Sequence, residues 1–184
     1  EKSDSPPMNT SKLWRQIRRS PHLWKKNFGG PLYSATFAPD GSKIALGSLQ
    51  GLVHIIDAAT RATFTLDGPK DQVLNTAFSP DGSQIASSSV EPVIHLWNLG
   101  SRELVAELPS GHSVQEVTFS PDGTILAAAT SIGTLQLWDL ASRKLLRTIK
   151  AHVGKANCLR FDAKGAILAS SGADGTIKTW NAAT

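Results

Sequence analysis

One cysteine, Cys158, is all the 184-residue chain contains, and a lone thiol cannot close an internal disulfide. Nothing beside it has the spacing of a metal cluster, so a reducing compartment is expected, with Cys158 as a small buried hydrophobe. No stretch approaches the roughly 18 to 20 apolar residues that span a bilayer, and the first thirty residues lack the apolar run of a secretory signal. These absences predict a soluble, intracellular and in the first instance cytoplasmic protein. Catalytic signatures are missing as well: there is no G-x-S-x-G, G-x-G-x-x-G, P-loop or H-E-x-x-H pattern. The expectation is a protein that is not an enzyme and carries neither cofactor nor metal.

The formal net charge of +4 is unevenly spread. Lys2, Lys12, Arg15, Arg18, Arg19, Lys25 and Lys26 stand against only Glu1 and Asp4 in the first thirty residues, and the remainder is nearly neutral. Residues 1–21 are therefore read as a basic N-terminal arm, polar and partly disordered at its start. A short helix over 11–19 is capped by Thr10 or Ser11, carries Leu13, Trp14 and Ile17 on one side, and ends at Pro21. The arm packs on the body, docks to a partner protein, or touches an anionic surface; nucleic acid enters only as a weak contact of this kind. Because the chain opens on Glu1, processing and a longer parent chain both stay open.

Internal repetition decides the architecture of residues 22–184. Phe-Ala-Pro-Asp-Gly at 37–41 returns as Phe-Ser-Pro-Asp-Gly at 78–82 and 119–123, and in altered form as Phe-Asp-Ala-Lys-Gly at 161–165. A second marker keeps step at Ile56, Trp97, Trp138 and Trp180, each followed by Asp or Asn. Proline presets φ, aspartate caps its own turn and glycine accepts positive φ, so each Pro-Asp-Gly reverses the chain. Short runs of strand length follow, such as 124–129, 134–138 and 144–149. Several are apolar at consecutive positions, which predicts small sheets buried on both faces.

These motifs resemble those of the WD-repeat family, over residues 22–184. The resemblance implies an all-β propeller with four blades in this chain, each of four antiparallel strands lettered a to d from the axis outward, and repeats at about 22–60, 61–100, 101–141 and 142–184. Each repeat's last strand would complete a blade begun by the neighbouring repeat. It also implies a buried hydrogen-bonded set, which falls on His152, Ser170, Asp174 and Trp180 in the fourth repeat. Elsewhere the set is broken: repeat three has Ala128 and Ile132 in place of the serine and aspartate. Repeat two has Pro69 and Glu91, and repeat one has Phe28, Leu46, Gln50 and Ile56. Those blades are expected to rest on apolar packing.

Four repeats are few for this family. Part of a longer chain, a half-ring that pairs with another, and a tight four-bladed ring are the three readings. His22 to Asn27 stands where an outer strand belongs, able to finish blade four or the last blade of a partner. His54 and His95 hold the same place in adjacent blades, but Gln136 and Lys178 fill it in the next two, so they are taken as ordinary strand histidines.

The resemblance implies a non-catalytic scaffold that binds partner proteins through the loop face around the channel. The positions six and four residues before each strand-a phenylalanine are expected to face its mouth: Pro31 and Tyr33, Gln72 and Leu74, Ser113 and Gln115, Lys155 and Asn157. The alternatives are the sensor or regulatory repeat region of a larger signalling ATPase or kinase, and a structural subunit of a large assembly. Beside protein partners, self-association of half-rings is also expected.

Overall fold

A computed structural model describes residues 24–182 and consists of strands and turns over that range. Blade one is β1 (Leu32–Phe37), β2 (Lys43–Ser48), β3 (Leu52–Asp57) and β4 (Thr63–Asp67); blade two is β5 (Val73–Phe78), β6 (Gln84–Ser89), β7 (Val93–Asn98) and β8 (Leu104–Pro109). Blade three is β9 (Val114–Phe119), β10 (Ile125–Thr130), β11 (Thr134–Asp139) and β12 (Lys144–Lys150). Blade four holds β13 (Ala156–Phe161), β14 (Ile167–Gly172) and β15 (Ile177–Asn181). Every sheet is an antiparallel meander in chain order.

The turns do what their residues dictate. At the a-b turn of blade one, Gly41 takes φ 71° and donates to the Ala38 carbonyl at 2.9 Å, while the Ser42 amide donates to Asp40 Oδ1 at 2.9 Å. In the c-d turns the marker aspartate or asparagine caps the chain: Asp57 Oδ1 accepts from the Thr60 amide at 2.7 Å, and Asn98 Oδ1 from the Ser101 amide at 2.9 Å. Each of these turns then places an arginine in the left-handed region, Arg61, Arg102 and Arg143 at φ 67°, 63° and 58°.

Since the meander alternates direction, a-b turns lie at one end of the array, and b-c turns and d-a loops at the other. The core is divided into slabs between successive blades. Val53, Ile55 and Leu66 of blade one meet Val73, Ile85 and Trp97 of blade two. Ile94, Leu96 and Leu108 meet Val117, Leu126 and Trp138, and Leu135 and Leu137 meet Leu159 and Leu168. Each fully buried Leu or Ile contributes roughly 1.5 to 3 kcal/mol relative to exposure. The apolar runs of the middle strands are thus explained, because a blade in the middle of the stack is buried on both faces.

β1 packs on β5, β5 on β9 and β9 on β13, and the stack does not close into a ring. Two expectations need correcting. Cys158 is exposed, because it lies on the face of blade four that no further blade covers. Trp24–Asn27 forms no strand and adds none to blade four, which has three strands among the described residues. It lies against blade one instead: Lys26 Nζ donates to Thr63 Oγ1 at 2.7 Å, and the Arg61 guanidinium sits 5.5 Å over the Trp24 ring. His22, Leu23 and the helix expected over 11–19 fall outside the described residues.

Candidate functional site

Each inner strand departs from its ladder at one residue. Pairing skips Tyr33 between Leu32 and Ser34, Leu74 between Val73 and Asn75, Gln115 between Val114 and Glu116, and Asn157 between Ala156 and Cys158. A skipped residue is a β-bulge, which re-aims its side chain out of the regular alternation. These four positions are the ones four residues before the strand-a phenylalanines of blades one to three, and its counterpart in blade four.

Two residues earlier the backbone ties the d-a loop to the b-c turn of the same blade. The carbonyls of Pro31, Gln72, Ser113 and Lys155 accept the amides of Leu49, Val90, Ser131 and Ala173 at 3.0, 3.3, 2.8 and 2.8 Å. All eight residues thus gather at the b-c end of the array. Pro31, Tyr33, Lys155 and Asn157 are exposed, while Gln72, Leu74, Ser113 and Gln115 are half-buried between neighbouring blades. Gln115 Nε2 donates to Ser113 Oγ at 3.3 Å, and Ser113 Oγ donates to the Ser89 carbonyl at 3.3 Å, so this stretch of the mouth is already ordered.

Four apolar residues at the same end escaped the sequence reading. Leu49, Val90 and Ile132 in the b-c turns and Val153 in the last d-a loop are 37, 41, 50 and 82 % exposed. The available signal was an aliphatic side chain inside a turn, where small and polar residues are the norm. Deeper in, a cavity of about 180 Å³ is lined by Thr36, Asn75, Thr76, Thr118 and Arg160 of the four inner strands. Arg160 pairs there with the buried Glu116, whose Oε2 also accepts the Leu159 amide at 2.8 Å.

In blade four, His152 Nε2 lies 2.9 Å from Ser170 Oγ, and its Nδ1 lies 3.0 Å from Asp174 Oδ1. The Trp180 indole donates to Ser170 Oγ at 2.9 Å. Burial opposes ionisation of Asp174, but the Thr176 hydroxyl and amide, His152 and the Val153 amide outweigh it and hold the carboxyl well below the usual range. Blade two keeps only the Trp97 to Ser87 bond, at 3.3 Å.

His54 and His95 are both buried, and each contacts its own aromatic neighbour: His54 lies 4.6 Å from the Phe28 ring and His95 6.0 Å from Trp97. Burial lowers the pKa of both; Lys26 adds to this at His54, whereas Glu107 and Glu91 oppose it at His95. Among the described residues no group of three His, Cys, Asp or Glu could hold a metal ion, and no helix is long and apolar enough to cross a membrane.

The family model described as WD domain, G-beta repeat matches residues 60–98, 102–139 and 143–181. Each match runs from the outer strand of one blade through the third strand of the next. The chain matches no curated protein.

Proposed function

The chain belongs to the WD40 repeat family, whose repeats generally mediate protein–protein interaction, and from that premise we propose a non-catalytic scaffold that grips partner proteins at the b-c end of its blades. The observation that carries this reading is the bulge repeated in all four inner strands. It turns Tyr33, Leu74, Gln115 and Asn157 out of the ladder at one end of the array. A bulge disrupts pairing, and its repetition at one register is the mark of a built feature.

The chemistry of the mouth suits an extended peptide. Tyr33 offers an aromatic anchor, and buried aromatics often dominate interface energy. Leu49, Val90, Ile132 and Val153 add an apolar rim, and Lys155 supplies one cation for a carboxylate.

Peptides selected from a random display library on the intact protein are the probe. They should bind the Tyr33→Ala/Lys155→Ala variant at least about tenfold more weakly, a difference of about 1.4 kcal/mol. Undiminished binding, or failure to select any peptide, would remove the mouth as the contact surface.

A further inference from the structure

The two ends of the stack carry unpartnered versions of the faces that join its blades. Val53, Ile94 and Leu135 occupy one repeat position and are buried against the following blade; Ile177 has that position in blade four and is 75 % exposed. Phe78 and Phe119 are buried against the preceding blade; Phe37 has that position in blade one and is 65 % exposed. Leu32, at the place of the buried Val73 and Val114, is 40 % exposed. Each end therefore lacks what the other presents.

The outer strands point the same way. Arg102 in the c-d turn of blade two lies 4.2 Å over the ring of Phe64, which belongs to β4, the outer strand of the preceding blade. Arg61, its counterpart in blade one, lies over Trp24. Trp24–Asn27 thus sits beside blade one as the outer strand of a blade before it would, although the described residues contain no such blade. Blade four has the complementary feature, an open β15 edge with no fourth strand among the described residues.

We propose that two copies of the chain dock head to tail, the uncovered face of blade four on the uncovered face of blade one, twice, with Trp24–Asn27 of each copy along the partner's β15. The contact continues the three interfaces already present between blades. Eight blades would result, within the range of known propellers, and the two-fold operation repeats one trailing-on-leading contact at both junctions. This stands apart from the reading of the channel mouth, which survives or fails by itself.

A hydrogen bond between blades supplies a sharp test. The residue three before the phenylalanine reaches the next blade at every internal junction: Ser34 Oγ lies 3.2 Å from Thr76 Oγ1, Asn75 Oδ1 accepts the Val117 amide at 3.2 Å, and Glu116 accepts the Leu159 amide. In blade four that residue is Cys158. The Ser34 and Thr76 hydroxyls show that γ atoms, one bond beyond Cβ, meet at these places, so the Cys158 sulfur of one copy would meet that of a cysteine placed at Ala35 of the other.

Light scattering should give twice the 19.6 kDa chain mass at tens of micromolar. Oxidation of the Ala35→Cys variant with glutathione disulfide should link two chains, and the same variant carrying Cys158→Ser should stay unlinked. Ile177→Lys and Phe37→Glu should each yield monomers, because each spoils both junctions, and mixing the two should restore a dimer, because one junction of the mixed pair carries neither substitution. A monomeric native chain, an Ala35→Cys protein that fails to link through Cys158, an open polymer, or dimers that persist in both single variants would each overturn the proposal.

Discussion

Trp180 donates its indole N–H to Ser170 at 2.9 Å and Trp97 donates to Ser87 at 3.3 Å, but the buried indole nitrogen of Trp138 has no partner among the described residues. Ala128 stands where the other two blades have serine. The three blades thus form a graded series. The hydroxyl of Ser170 serves both a histidine and a tryptophan, that of Ser87 a tryptophan alone, and blade three has none.

Ser170→Ala strands two nitrogens, the buried His152 Nε2 and the half-buried Trp180 Nε1. It should destabilise the protein by roughly 1 to 3 kcal/mol, and Ser87→Ala, which strands one, by nearer 1 kcal/mol. Urea unfolding of the two variants checks the order.

Ala128→Ser should have the opposite sign. The added hydroxyl offers the Trp138 indole its missing acceptor in a site whose equivalents already hold one, so a gain of up to about 1 kcal/mol in the same titration is expected.

Gly133 takes φ 82°, and a Cβ there would stand 2.1 Å from the His152 carbonyl oxygen; Gly175 takes φ 73° with open space around it. Gly175→Ala should therefore add only the left-handed penalty of roughly 1 to 2 kcal/mol. Gly133→Ala must also push the b-c turn of blade three away from the loop leading to blade four, and should lower the thermal midpoint distinctly further.

Acid should weaken the fold through aspartates held by turn bonds. The Ser79 hydroxyl, followed by the Ser83 amide and hydroxyl, lowers the Asp81 pKa from 3.8 to about 2, and Asp174 lies lower still. A depressed folded value adds stability that is complete above pH 3.8 and is lost as pH falls toward 2. Urea midpoints should drop across that window, and Asp81→Asn together with Asp174→Asn should flatten the drop.

The blades were legible because their signals are local. Phe-x-Pro-Asp-Gly specifies a turn in five residues, and the recurrence at Phe37 marks blade one even though the family model does not match its first three strands. The bulges were legible only as positions. Tyr, Leu, Gln and Asn share no propensity, and a register shift depends on the partner strand rather than on the skipped residue. Cys158 was misjudged for a related reason: its strand resembles β1, β5 and β9, but burial is conferred by the next blade. Trp24–Asn27 has the length and place of an outer strand, yet a strand needs an edge, and the β15 edge lies elsewhere in this open stack.

If partners bind at the b-c end, the two ends of one molecule must respond differently to substitution. A peptide selected on the intact protein is titrated against Tyr33→Ala/Lys155→Ala at the mouth and against Asp40→Ala/Asp122→Ala in the a-b turns at the opposite end, with circular dichroism confirming that both variants are folded. Binding at the b-c end should give at least about a tenfold rise in Kd for the first pair and no change for the second. Equal affinities for both variants, or loss confined to the a-b end, would contradict it.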